Sequence, residues 1–171
     1  MTDTALIAPE RAPLDERAAA YPAIVRALDY IDAQWRDQPS LPQIAEAAGL
    51  SPFHLQRLFT RWTGASPKRL VGALTHAEAR VLLEAGASVL DAALETGLSG
   101  PSRLHDVFIA EEAATPGEVR KGGEGVAFSI GAAATPFGGG VFLWSPRGLS
   151  GLAFSDPGDE AAAFADLSGR F

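Results

Sequence analysis

The 171-residue sequence contains no cysteine and has a single methionine, Met1. The absence of cysteine excludes disulfide bonds, zinc–thiolate sites and thiol catalysis. No apolar run reaches the roughly 18 residues of a membrane helix, and residues 1–16 lack the apolar stretch of a signal peptide. We therefore expect a cytoplasmic protein with no membrane partner.

Positive charge is also scarce, since 14 lysines and arginines stand against 21 acidic residues and the net charge is −7. This balance argues against a protein that binds nucleic acid with its whole surface. The charge is unevenly distributed, however. Residues 51–80 hold five basic side chains and one acid, whereas residues 86–119 hold one base and six acids. The first segment is suited to contact phosphates, and the second would repel them.

Candidates for catalysis and metal binding are few. The three histidines, His54, His76 and His105, do not have metal-ligand spacing, and we find no credible Ser-His-Asp arrangement. The glycines at 138–140 have neither the lysine nor the spacing of a phosphate loop, and we interpret them as a turn. We predict no catalytic residue, no metal site and no cofactor.

Residues 40–64 have the pattern of two short helices joined by a tight turn. Ser40 is placed to cap the first helix, with Gln43 as its reciprocal partner. Gly49 stands where that helix should end, since glycine adopts the left-handed conformation cheaply. Ser51 is then the N-cap of the second helix. This is the pattern of a helix-turn-helix, whose second helix enters the DNA major groove.

The pattern occurs twice in the chain. Residues 88–98 superimpose on residues 40–50 at an offset of 48, and Thr115-Pro116 matches Ser66-Pro67 at an offset of 49. The slip of one residue falls in the turn, where insertions are tolerated best. Two copies of one unit, joined by a linking helix, are the simplest interpretation.

We expect the chain to divide into three segments. Residues 1–20 have no sustained periodicity and are expected to form a disordered arm. Residues 21–121 would form the double helix-turn-helix domain, beginning with a helix near Tyr21. Residues 122–171 would form a small subdomain with strands at 126–133, 141–145 and 148–155, followed by a helix at 156–167.

The second helix of the first copy has a defined solvent face. Its core direction is set by Leu55, Leu58, Phe59 and Trp62. Phe53, Arg57 and Thr60 point away from that core, and Gln56 and Arg61 flank them. Arginine can bond guanine O6 and N7, glutamine can do the same to adenine, and an apolar side chain can contact the thymine methyl group. A merely solvated helix face is the alternative.

These properties predict two kinds of DNA contact. We predict base contacts from Phe53, Gln56 and Arg57. The predicted backbone contacts are Ser51, Thr60, Arg61 and Lys68.

The second copy differs at its equivalent positions. Ser102 and Asp106 point outward, flanked by Arg103 and His105, and Asp106 takes the place of Arg57. A carboxylate in an acidic segment repels phosphate. We therefore predict that the second copy is mainly structural, with weak DNA contacts from Ser102, Arg103 and His105.

These residues carry a resemblance to a known family. Residues 40–119 resemble the DNA-binding domain of AraC-type regulators, through the stretches IAEAAGLSPFHLQRLF, GASPKRL, AEARVLL and VFIAEEAATPGEV. The resemblance implies a double-stranded DNA partner and base contacts at Phe53, Gln56 and Arg57. RNA polymerase is a further candidate partner, and we expect a monomer.

The C-terminal part carries a second resemblance. GLSGPSRLHDVF, TPGEV and TPFGGGVFLWSPRGLSGLAFSD look like an Ada-type fusion of an AraC-type domain to a methylated-DNA–protein cysteine methyltransferase. Residues 126–171 are similar to the N-terminal sheet subdomain of that methyltransferase, here truncated. The Pro-Cys-His-Arg motif of the family is absent. Because alkyl transfer needs a thiolate, we predict that this chain is not an enzyme.

Together these observations predict a mainly α fold with two helix-turn-helix units joined by a linking helix, followed by a small incomplete α+β subdomain of ribonuclease-H-like type. The predicted function is a sequence-specific transcriptional regulator linked to the DNA-alkylation, or adaptive, response. Two alternatives remain open at this point. The chain could be an inactive fragment of a bifunctional regulator and methyltransferase, or a helical interaction module that does not bind DNA.

Overall fold

The computed structural model describes residues 14–156 and 158–171, which form eight α-helices and one three-stranded sheet. They divide into two compact bodies. The first body holds residues 14–33 and 40–67, and the second body holds residues 34–39 and 68–171. This division differs from the expected boundary at residues 121–122, because the sheet packs with the second helix-turn-helix.

Three helices build the first body: α1 (Leu14–Gln34), α2 (Leu41–Ala48) and α3 (Pro52–Thr63). The expectation of a disordered arm up to residue 20 is wrong for residues 14–20, which are the start of α1. Their alanine, glutamate and arginine have high intrinsic helix propensity even without an apolar stripe. The remainder of the predicted arm, residues 1–13, lies outside the described residues.

Local capping interactions define α2 and α3 as predicted. The Ser40 N–H donates to Gln43 Oε1 at 2.9 Å, and Gly49 ends α2 in the left-handed region with φ of 72°. Ser51 Oγ accepts a hydrogen bond from the His54 N–H at 3.3 Å. These caps satisfy backbone groups that a helix end leaves free, and they place α3 directly after a tight turn.

The first body buries one face of each of its helices. Its buried apolar side chains are Ala23, Ile24, Ala27, Ile31, Ile44, Ala45, Ala48, Leu55 and Phe59. Arg26 Nη2 donates to the carbonyl oxygen of Ala48 at 2.7 Å, which ties α1 to the end of α2. Trp62 was expected to be buried but is half-buried, with its ring centroid 5.7 Å from that of Tyr21. The helical wheel thus predicted the core-facing side of α3 correctly, since Leu55 and Phe59 are buried there, but it overestimated the burial of Trp62.

The second body contains α4 (Pro67–Glu84, from Lys68 onward), α5 (Val89–Glu95), α6 (Pro101–Glu112) and α7 (Pro116–Arg120). The repeat is confirmed in its caps, since Ser88 Oγ accepts from the Asp91 N–H at 3.1 Å as the predicted N-cap of the second copy. Gly97 adopts φ of 76°, and a Cβ there would collide with the carbonyl oxygen of Arg36. The core of this helix-turn-helix is formed by Ala79, Leu83, Ala92, Ala93, Leu104, Phe108, Ala114 and Val119.

The sheet is an antiparallel meander of β1 (Ser129–Thr135), β2 (Gly138–Ser145) and β3 (Gly148–Ser155), in that order. Helix α8 (Glu160–Ser168) covers one face, where Val141, Leu143, Ala163 and Leu167 are buried. The predicted helix thus starts later than residue 156. Pro157, which falls within the predicted range, lies outside the described residues.

The prediction of a turn at residues 138–140 is wrong, because these glycines begin β2. Gly140 pairs with Ala133 of β1. A Cβ on Gly140 would lie 2.8 Å from Thr135 Cγ2 and 3.0 Å from the Phe142 ring. Glycine is needed here for close packing between neighbours, which a turn signal in the sequence does not distinguish.

Three contacts attach the sheet to the second helix-turn-helix. Ser145 Oγ donates to the carbonyl oxygen of Ala113 at 2.6 Å. The Arg147 guanidinium donates to both Glu118 carboxylate oxygens, at 2.8 and 2.9 Å. Phe171 packs against the cores of both parts. The sheet and α4–α7 therefore share one body. Over the described ranges, no helix is long and apolar enough to span a bilayer.

Candidate nucleic-acid interface

Helix α3 presents its predicted face to solvent. The Phe53 side chain is 72% exposed. Arg57 and Thr60 are also exposed, and Gln56 is half-buried. The structure therefore brings the three predicted base-contact residues onto one accessible helix surface.

The electrostatics of this surface favour an anion. Helix α3 contains no acidic residue, and its two arginines, Arg57 and Arg61, are exposed. Within residues 14–156 and 158–171 neither arginine forms an ion pair. The Arg57 Cζ atom lies 5.7 Å from the centre of the Phe53 ring, within cation–π range. Arg57 is thus held beside Phe53 with its hydrogen-bond donors available.

The predicted backbone contacts belong to both bodies. Ser51 and Thr60 are exposed on α3 with Arg61. The Ser51 hydroxyl already accepts a backbone hydrogen bond as the N-cap, but it keeps its own O–H for a phosphate. Lys68 is exposed at the start of α4 and belongs to the second body.

Helix α6 presents a different surface. Ser102, Arg103 and His105 are exposed as predicted. Arg103 Nη1 lies 3.9 Å from Asp106 Oδ2, in an ion pair whose side chains are 71% and 65% exposed. A neighbouring carboxylate offsets the charge that Arg103 could offer to a phosphate. The exposed arginine of α6 is therefore paired with a carboxylate, whereas α3 carries no acidic residue.

A buried network in the second body was not predicted. Glu112 on α6 is 3% exposed, and its carboxylate binds Arg80 and, at 2.9 Å, His76 Nε2. Arg80 also binds Glu84 at 2.8 Å. Burial, with a further contribution from the charge of Arg80, lowers the pKa of His76 below its usual value.

This network corrects the local charge estimate. Arg80 was counted among the cations available to phosphate, but it is committed to two carboxylates. No local sequence pattern indicates this pairing, since Arg80 and Glu112 are 32 residues apart. Arg80 is therefore removed from the basic residues counted as available to phosphate, whereas Arg57 and Arg61 on α3 stay available.

Comparisons with known proteins agree with this geometry. A family model described as a helix-turn-helix domain matches residues 44–122. The bifunctional transcriptional activator/DNA repair enzyme Ada of Escherichia coli is 30% identical over 132 residues, which is 77% of this chain and 37% of Ada. The uncharacterized HTH-type transcriptional regulator YbfI of Bacillus subtilis is 30% identical over 76 residues, 44% of this chain and 28% of that protein. This chain therefore spans little more than a third of these relatives at most.

Solved structures share the fold. A transcriptional regulator from Chromobacterium violaceum, described among AraC-type DNA-binding domain-containing proteins, is 26% identical with a TM-score of 0.52, covering 63% of this chain and 97% of that one. The DNA-binding domain of AdpA, solved in complex with a target DNA, has the same fold at 22% identity and a TM-score of 0.52, covering 58% of this chain and 90% of its own. Residues 44–122 thus form a helix-turn-helix domain like those of AraC-type transcriptional regulators.

Proposed function

We propose that this chain is a sequence-specific DNA-binding transcriptional regulator that reads bases with α3. The observation that carries the proposal is that Phe53 and Arg57 are exposed, and Gln56 is half-buried, on a capped helix with no acidic residue. Side chains of this kind at the start of a second helix-turn-helix helix match the groups on base edges in the major groove. Arg61 and Lys68 supply phosphate contacts.

Two kinds of similarity support the proposal. The sequence relatives Ada and YbfI are named as transcriptional regulators. The AdpA domain was solved with a target DNA, and its likeness to this chain supports the fold in which such binding occurs. RNA polymerase is the protein partner that we propose for such a regulator, and a monomer is the proposed state.

A link to the DNA-alkylation response is the finer part of the proposal. It is supported by the length of the alignment with Ada, which extends over 132 residues, whereas the helix-turn-helix family model matches only residues 44–122. In this proposal the sheet and α8 correspond to part of a ribonuclease-H-like subdomain of a methyltransferase. The chain itself would not transfer alkyl groups, because it has no thiol to accept them.

The test begins with selection of bound sites from random duplex DNA. Fluorescence anisotropy then compares the selected duplex with a scrambled duplex of identical composition, at two salt concentrations. The proposal expects binding to the selected site at least about 10³-fold tighter than to the scrambled one. Equal binding to both duplexes at every salt concentration would contradict the proposal and favour an interaction module that does not read DNA.

A further inference from the structure

We propose that Phe53 and Arg57 act as a pair that recognises the 5-methyl group of a pyrimidine followed by guanine on the same strand. The inference rests on the DNA-binding function proposed above and adds the base step that α3 reads. The two residues lie one helical turn apart, so their side chains leave the same face of α3. They are near the N-terminal end of the helix, where a recognition helix contacts base edges.

Phe53 is left largely uncovered by the rest of the first body. Its ring is 72% exposed, and the stripe that packs into the core is formed by other residues, including the fully buried Leu55 and Phe59. In the major groove, the apolar group at a base edge is the methyl group on C5 of thymine. A ring that enters the groove therefore gains most where it covers that methyl group.

Arg57 supplies the second half of the recognition. Its Cζ atom lies 5.7 Å from the centre of the Phe53 ring, so the ring limits the directions that the guanidinium can take. The guanidinium fork matches guanine O6 and N7. Successive bases on one strand are about 3.4 Å apart. The ring and the fork can therefore engage a methylated pyrimidine and the guanine next to it at the same time.

This arrangement makes binding sensitive to cytosine methylation. Thymine and 5-methylcytosine carry the same methyl group on C5, whereas uracil and cytosine carry hydrogen there. Phe53 contacts this position without a hydrogen bond, so it does not need to distinguish the two methylated bases. A methylated CG step should therefore be bound better than an unmethylated one, as a TG step should be bound better than UG.

The experiment uses the full chain and a site selected from random DNA. The guanine read by Arg57 is located as the position whose preference is relaxed by Arg57→Ala. The pyrimidine on its 5′ side is then made thymine, uracil, cytosine or 5-methylcytosine, each with its Watson–Crick partner. Anisotropy titrations should show about fourfold tighter binding of thymine than of uracil, and a similar preference for 5-methylcytosine over cytosine, as expected for burial of one methyl group.

Variants assign the effect to the ring. Phe53→Ala should remove both methyl preferences while the guanine preference remains, which also shows that the variant is folded. His54→Ala is the matched control, because His54 is an exposed neighbour whose role in the cap uses only its backbone N–H, and it should leave both preferences intact.

The results distinguish a failure of this inference from a failure of the proposed DNA-binding function. Equal affinity of the wild-type chain for methylated and unmethylated bases overturns this inference and leaves the proposed function in place, as does a selected site with no pyrimidine before that guanine. Failure to select any specific site overturns the proposed function itself.

Discussion

Arg57 and Asp106 occupy equivalent positions in two helix-turn-helix copies, and the local chemistry around them differs. Arg57 lies on a helix without acidic residues, beside an exposed phenyl ring. Asp106 pairs with Arg103 on the surface of α6. In our proposal, this exchange of charge at one helical position makes the α3 surface more attractive to DNA than the α6 surface.

Arg61 and Lys68 should contribute to affinity without contributing to specificity. Each Ala substitution should reduce the slope of log affinity against log salt by about one, because each removes roughly one phosphate contact and its released counterion. The measurement is a salt series of anisotropy titrations on specific and scrambled duplexes. Arg103→Ala serves as the control and should change the slope little, since Asp106 offsets its charge. An unchanged slope for Arg61→Ala would remove Arg61 from the interface.

Glu112 should be the most sensitive charged position for stability. Glu112→Ala removes the carboxylate shared by Arg80 and His76 and leaves a largely buried guanidinium with one partner fewer. We expect a loss of about 3 kcal/mol in the free energy of unfolding, measured by urea denaturation. Glu111→Ala is the matched control, because its contact with Arg69 is long, at 3.9 Å. Equal losses for the two variants would contradict a structural role for the network.

Among the secondary-structure elements, the ends of the helices were the easiest feature to predict from the sequence. Ser40 with Gln43, the left-handed Gly49 and the Ser51 cap are all recognisable in the sequence, because each interaction joins residues within one helical turn. The order of α2, α3, α5 and α6 followed from these signals and from the internal repeat.

Features that depend on distant neighbours could not be predicted in the same way. Gly140 looks like a turn residue until its packing against Thr135 and Phe142 is known. The partners of Glu112 come from α4, far away in the chain. The exposed face of α3 was predictable because a helical wheel needs only the local period, whereas the loss of Arg80 from the available cations required the three-dimensional structure.

The cap of α3 should be needed to hold the recognition helix. Ser51→Ala removes the oxygen that accepts from the His54 N–H and should cost about 1 kcal/mol of stability. Ser51→Asn retains a capping oxygen and should cost much less. Thermal unfolding followed by circular dichroism compares the two, and equal midpoints for Ser51→Ala and the wild type would show that the cap does not stabilise α3.

At the scale of the whole molecule, the second body joins the sheet to a helix-turn-helix through an ion pair that responds to acid. Burial raises the pKa of Glu118, but hydrogen bonds from Arg147 and Thr115 outweigh this and leave the pKa below its usual value. A carboxyl whose pKa is lower in the folded state stabilises the fold above its unfolded pKa, about 4.3. This contribution is lost as the pH falls through the folded pKa.

Arg147→Ala should therefore destabilise the second body at pH 7 and have a smaller effect in acid. The measurement is the free energy of unfolding of both proteins between pH 7 and pH 3. Arg120→Ala, at an exposed residue of α7, is the control and should change stability little at any pH. If the loss of unfolding free energy caused by Arg147→Ala stayed constant across this range, the ion pair between Arg147 and Glu118 would not contribute to the pH dependence of stability.

The central proposal is that α3 reads the bases of DNA, whereas α6 makes only weak contacts with it. The most direct test measures the affinity of the wild-type chain, Arg57→Ala and Asp106→Ala for one selected site, by anisotropy at two salt concentrations. Arg57→Ala should lose about 1–3 kcal/mol of binding free energy at the specific site, and Asp106→Ala should bind equally well or more tightly, since it removes a negative charge. If Asp106→Ala weakened binding as much as Arg57→Ala, α6 would be a base-reading helix and the assignment of DNA recognition to α3 alone would be contradicted.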